Sequence, residues 1–331
     1  MSKDGDPLEV LQQTVDFEYF LGWLVEGLGY GDGAKGGRPP FDPVMMFKAL
    51  NLQAQHNLSD ARMEEFMTRD RLSWLRFLRL SLGDRTPDEN TIRHFRNRLT
   101  ETGTLKRVMK AFDWQLQKKG YIPMSGQIVD GEHAPRPGDV AARAGLVSAP
   151  KQRNTGGERE AIKSGMSAKE IWPDEPNKAA QKDTDARWTL KIGGKVRYRA
   201  DGTPLPMIAL PVFGYSEHRP MPVAWGRRTA HISIDRRFGF IRKAAVTSAA
   251  DSDGRMLRHV IADNTSGEVW ADTAYRSRAT AHANAAESAI RCRNEHVFAH
   301  QKNRFGLFIR TIGIKRAEAK RTLANLAYNV D

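Results

Sequence analysis

The sequence predicts an α+β protein built from two unlike parts. Up to about residue 120 the apolar residues recur at helical spacing. From Gly126 onward they gather into short strand-like runs with helical stretches between them. The length of 331 residues fits two domains, at roughly 150 residues each.

The elements follow in order. Leu8, Leu11, Val15, Leu21, Leu24, Val25 and Leu28 mark a first helix, which breaks into the Gly-rich stretch GYGDGAKGGRPP. Pro43 opens a second, with Val44, Met45, Phe47, Leu50 and Leu52 on its apolar side. Ser59 and Asp60 can cap a third, and Ser73 to Leu82 form a fourth. The turn TPDEN then leads into TIRHFRNRL, where Ile92, Phe95 and Leu99 face a core and Arg93, Arg96 and Arg98 lie largely elsewhere on the surface. Short helices ending in a cationic one suit a helix-turn-helix reader of DNA; they also suit a plain helical bundle with a solvated Arg face. Trp74 and Trp114 fall on apolar helix faces and are expected in the core.

In the second part QIVD, MIALPVFGY, ISID, FGFIRKAAVT and EVWAD read as strands, and DGRMLRHVIA and NAAESAIRCRNEHVFAHQKN as helices. Lys151 to Gln181 is polar without a clear period and is expected to be a long loop. The boundaries are an N-terminal helix and linker over 1–36, a helical unit over 37–120 and a mixed α/β unit over 121–331, to which the resemblance given below assigns DNA binding and catalysis.

Lys and Arg number 52 against 39 Asp and Glu, a net charge of +13, which favours a polyanionic partner such as nucleic acid. The single cysteine, Cys292, excludes a disulfide framework and a Cys-based zinc site. The opening MSKDGDPLEVLQQ lacks the basic and apolar runs of a secretion signal, and no stretch reaches the ~18 apolar residues of a membrane span. A cytoplasmic protein with no membrane partner is expected.

Two apolar runs end in aspartate, Gln127 to Asp130 and Val269 to Asp272. A carboxylate at the end of a buried strand is held rigidly at the sheet edge. Arg291, Glu295 and Lys302 project from one face of a helix. Two strand-borne aspartates and a helix-borne glutamate offer hard oxygen ligands for two Mg²⁺ ions, the pair that assists in-line phosphoryl displacement. The same residues also fit turn caps at Asp130 and Asp272 and a surface pair of Glu295 with Arg291. His296 and His300 have helical zinc spacing but no third ligand beside them. Trp188, in DARWTLK, has the basic surroundings of a base-stacking aromatic.

The strings GRPPFDPVMMFKALNLQAQHNLSDARMEEFMTRDRLSWLRFL and DRTPDENTIRHFRNRL resemble the N-terminal domain of bacterial insertion-sequence transposases of the "IS five" group. APKQRNT, QKDTDARWTLK, VFGY, SIDRRFGFIR, VWADTAYRS, NEHVFAHQK and RTIGIKRAEAKRTLANLAYN resemble the rest of such an enzyme, in order, from about Gly37 onward. The resemblance implies a ribonuclease-H-like catalytic domain of the DDE type, with Asp130, Asp272 and Glu295 as catalytic and metal-binding carboxylates. It implies two Mg²⁺, with Mn²⁺ able to substitute, and cleavage and transfer of DNA strands. Arg291 and Lys302 match DNA-contacting positions of a Tyr-Arg-Glu-Lys signature whose Tyr position is Ser288 here. The implied partners are terminal inverted repeats, bound through Arg93, Arg96 and Arg98, target DNA, and a second copy in a homodimer on the bacterial nucleoid.

The chain departs from these relatives in three places. Residues 131–145 and 219–230 are insertions rich in Ala, Arg, Gly and Pro, the first splitting the strand that carries Asp130. Only residues 273–294 separate Asp272 from Glu295, where relatives have a longer interval that includes a further core strand. The alternative expectation is therefore a catalytically defective remnant that only binds DNA.

Overall fold

The computed structural model describes residues 6–30, 39–67, 72–121, 127–131, 146–148, 152–185, 227–248, 253–261, 269–271, 296–307, 309 and 311–331. The first part comprises α1 (Pro7–Thr14), α2 (Leu21–Leu28), α3 (Pro43–Gln55), α4 (Asp60–Glu65), α5 (Leu72–Leu78), α6 (Glu89–Glu101) and α7 (Thr104–Lys118). Three of these helices start at side-chain caps. Asp42 accepts from the amides of Val44 and Met45 at 3.2 and 2.9 Å, with Pro43 as the first helical residue. Ser59 accepts from Arg62 and Asp88 from Thr91.

Three expectations for the helical part need correction. The stretch from Leu8 to Leu28 is two helices, because Val15 takes an extended conformation and Asp16 accepts from the Tyr19 amide to start a separate 3₁₀ turn over Glu18–Phe20. The fourth helix stops at Leu78, where Arg79 enters the left-handed region with φ 58° and turns the chain. Trp74 is buried as expected, but Trp114 is 43% exposed and stacks at 5.5 Å on Tyr19 instead of entering the core. Close packing of α2 on α7 depends on Gly27, since a Cβ there would sit 1.9 Å from Thr104 Oγ1.

The sheet is built around β3 (Arg227–Asp235), which pairs antiparallel with β4 (Ile241–Ser248) on one edge. Its other edge takes two strands in succession. β1 (Gln127–Gly131) pairs from Gln127 opposite Asp235 to Gly131 opposite His231, and β2 (Leu146–Ser148) continues with Leu146 opposite Thr229. One position, Ala230, separates the two pairings. The two are thus halves of one strand line, as expected of a strand split by an insertion. Deleting residues 133–145 would set Glu132 opposite Ala230 and Leu146 opposite Thr229 without a break. A shorter connection between β1 and β2 costs less closure entropy, so the shortened protein is expected to melt no lower than wild type. Loss of folded protein would show that the excised residues support the sheet.

β5 (Val269–Ala271) lies parallel to β1 on its free side, reached from β4 through α11 (Asp253–Val260). Sheet alternation then separates the faces. Ile128, Ile232, Ile234 and Ile241 join the large core of the helical part, whereas Val129 meets Val260, Met256 and Leu257 of α11. Helical residues 296–303 (α12) bury Val297 and Phe298 in the large core. The last helix, α13 (Ile314–Asn329), packs on α3, α6, α7 and β4. Its Asn329 clasps the edge of β4, accepting from the Ile241 amide at 2.8 Å and donating to the Ile241 carbonyl at 2.7 Å. Nearby, buried Arg242 of β4 pairs with Asp113 of α7 through two bonds of 3.0 and 3.1 Å. No helix among the described residues is long and apolar enough to cross a membrane.

The stretch Lys151 to Gln181, expected as loop, instead carries three short helices, α8 (Gly156–Lys163), α9 (Ala168–Ile171) and α10 (Pro176–Gln181). Capping boxes at Thr155–Glu158 and Ser167–Glu170 start the first two, a signal that hydrophobic periodicity does not contain. The segment closes on Glu158, which accepts from the indole of buried Trp172 at 2.7 Å and pairs with Lys178 at 3.1 Å. Its end ties down α13: Asp183 and Asp185 accept from the amides of Gly313 and Ile314.

The bonds from Trp172, the Thr155 amide and Lys178 hold the Glu158 carboxyl down at about 2. A carboxyl depressed on folding stabilises above its unfolded value and loses that contribution as protons arrive. The Trp172 emission, taken as wild type minus Trp172→Phe, is expected to change as pH falls from about 4.5 toward 2. In Glu158→Gln this acid step should be gone. A step of unchanged size in that variant would assign it to another group.

Candidate functional site

Helix α6 carries the three arginines expected at DNA. Its buried side is as read from the sequence, with Ile92, Phe95 and Leu99 at 0, 5 and 0% exposure. Arg93 is exposed and donates to Asn90 of its own first turn at 2.6 Å. Arg98 is exposed, with Nε 3.4 Å from the Leu28 carbonyl, and lies against Gly29, whose positive φ of 65° ends α2. Arg96 is turned inward by comparison. Its guanidinium holds Asp60 at 2.5 and 2.8 Å and reaches Gln53.

Burial pushes the Asp60 carboxyl up, but the bonds from Arg96 and Gln53 outweigh it and hold the group below the usual carboxylate range. Half-buried Lys320 of α13 stands in the same neighbourhood, where burial and the Arg96 charge push its ammonium down. Arg96 thus joins α4, α6 and the neighbourhood of α13, while Arg93 and Arg98 keep their heads at the surface.

The second candidate region is the end of β1. The parallel register runs Gln127 to Val269, Ile128 to Trp270 and Val129 to Ala271. Asp130 is the next residue of β1, its backbone opposite Ile232 of β3. β5 ends at Ala271, directly before Asp272 in the chain. Asp272, Arg291, Glu295, Cys292 and Trp188 lie outside the described residues. Lys302 is half-buried on α12 with Nζ 5.9 Å from the Phe298 ring.

Among the described residues no group of three or more His, Cys, Asp or Glu is placed to hold a metal ion. His300 pairs with Asp331 at 3.0 Å, and Arg304 holds the same carboxylate at 2.9 Å.

Sequence reading did not anticipate the surroundings of Arg98. Tyr30, Phe41 and Arg85 converge there from three separate segments, and no spacing rule joins positions so far apart. The only local signal was a Phe-Asp-Pro and an Arg-Thr-Pro-Asp turn, each directly before a capped helix.

No curated protein and no solved structure matches the chain. Residues 1–98, from the N-terminal segment through Arg98 of α6, match the family model described as "Transposase domain (DUF772)", which supports a transposase.

Proposed function

We propose that this protein is a DDE-type transposase of the "IS five" group, in which the helical part holds DNA ends and a ribonuclease-H-like part cuts and joins them. The observation that carries the reading is the parallel pairing of β1 with β5. Two strands far apart in sequence run side by side in register, and the residue after each paired stretch is an aspartate, Asp130 within β1 and Asp272 just past β5. That pairing supports a shared carboxylate site. The packing of α12 into the same core as Ile128 supports Glu295, one residue before α12, as its third member.

The donor set is chemically suited to Mg²⁺, since carboxylate oxygens are its preferred protein ligands. Such a metal, when bound, supplies charge stabilisation at the attacking and leaving oxygens of a phosphodiester. The chain's own contribution is to hold carboxylates rigidly on strand ends and to seat the duplex. Arg93 and Arg98 contact phosphates, and Arg96 positions α6 through Asp60 rather than reaching out.

Binding is expected to weaken with salt, and Arg93→Ala and Arg98→Ala each to flatten the logarithmic salt slope by about 1. The test is a labelled duplex carrying the terminal repeat of the element, assayed for band shift across a salt series and for strand cleavage with Mg²⁺ against EDTA. Absence of binding at low salt would end the reading.

A second reading, a protein that binds ends without cutting, is favoured by the short interval of residues 273–294 and by a family match confined to residues 1–98. It predicts the band shift without cleavage.

A further inference from the structure

Beside Arg98 the surface opens into a cleft of about 390 Å³, within the size range of small-ligand sites. One wall is apolar and comes from Leu28, Pro39, Pro40 and Met46. The Arg85 guanidinium lies 4.4 Å from the centre of the Phe41 ring at its mouth, a stacked planar cation. Among the described residues neither Arg85 nor Arg98 has a carboxylate within ion-pair distance, in contrast to Arg96, which shares α6 with Arg98. Tyr30 adds a phenol that burial, with Asp42 nearby, keeps protonated well above neutrality, so it is a hydrogen-bond donor.

A flat cation, an apolar wall and two exposed guanidinium groups together suit a planar heterocycle joined to an anion. An uncharged peptide or an apolar ligand would leave both arginines unused. Bases leaving a DNA stack are held in this way, on aromatic rings and Arg planes with phosphate at a second cation. The cleft adjoins α6, the helix proposed to seat the duplex.

We propose that this cleft takes one unstacked nucleotide of the bound DNA, its base on the Arg85–Phe41 pair and its phosphate at Arg98. The proposal rests on the DNA-binding reading above. It adds that the protein distinguishes distorted from fully paired DNA, as an end-processing enzyme must when strands separate at an element's terminus.

The probes are a short fluorescein-labelled duplex and the same duplex with one unpaired 2-aminopurine at its centre. Wild-type protein is expected to bind the bulged duplex about tenfold more tightly than the paired one, with 2-aminopurine fluorescence quenched by stacking. Arg85→Ala, at an exposed position, should lose the preference and the quench while still shifting the paired duplex. Phe41→Leu, which keeps apolar volume against the core, should do the same.

Equal affinity for the two probes, with the paired duplex bound and salt-sensitive, would overturn the cleft proposal and leave the transposase reading intact. So would a preference that survives both substitutions. Failure of folded wild type to bind either probe at low salt would overturn both.

Discussion

Asp130→Asn is expected to fold, to shift duplex DNA as wild type does, and to cut it at least about a thousandfold more slowly in Mg²⁺. The magnitude follows from several kcal/mol of charge stabilisation at the reacting phosphate, at 1.36 kcal/mol per decade. Asparagine keeps the shape of the side chain but not its negative charge, so the substitution tests the carboxylate and not the strand. The backbone role of residue 130, opposite Ile232 in the centre of the sheet, is available to either residue. Thermal melting and the band shift therefore serve as controls, and the cleavage rate is the readout. Cleavage at the wild-type rate would remove Asp130 from the site. A wild-type protein that binds but never cuts would favour the DNA-binding remnant instead.

The second large effect concerns stability. Asp113→Ala leaves the Arg242 guanidinium, 4% exposed in its side chain, facing a space that no anion fills. Breaking one side of a buried ion pair costs about 3–5 kcal/mol, because the surviving charge is neither paired nor hydrated. For a chain of this size that lowers the melting temperature by roughly 10 °C. Replacing both partners, Asp113→Leu with Arg242→Met, should recover most of the loss, since the desolvation cost of both charges is then removed. A double variant as unstable as Asp113→Ala would mean that Asp113 acts mainly through Gln117, which donates to the same carboxylate at 2.8 Å.

The parts of this structure that were legible in the sequence are those governed by near neighbours. Asp42, Ser59 and Asp88 cap the helices they precede because the bond they make reaches only two or three residues. The buried face of α6 follows from the 3.6-residue period alone. The strand-like runs at Gln127, Ile232, Ile241 and Val269 are strands, and the first is broken where an inserted segment was expected to break it.

What was not legible depends on partners far along the chain. Arg96 has the same sequence context as Arg93, and only Asp60, on another helix, turns it inward. Trp114 occupies an apolar helical position, yet its neighbour is Tyr19 at the surface and not the core. The three helices of residues 152–185 are polar on most sides and are held by caps and by Glu158, so no apolar stripe announces them. For the proposed carboxylate site, sequence offered candidates, and the β1–β5 register came only from the structure.

The position of α13 has a consequence for how the protein is made. Helices α3, α6 and α7 pack on residues 314–329, which are translated long after them. At about 5–20 residues per second, the interval between α7 and α13 lasts on the order of 10–40 s. Throughout it, the nascent first domain carries an uncovered apolar seam. A premature stop before Ile314 leaves that seam exposed for good. Truncated copies of the gene are thus expected to yield aggregating or rapidly degraded protein and not a free-standing DNA-binding fragment.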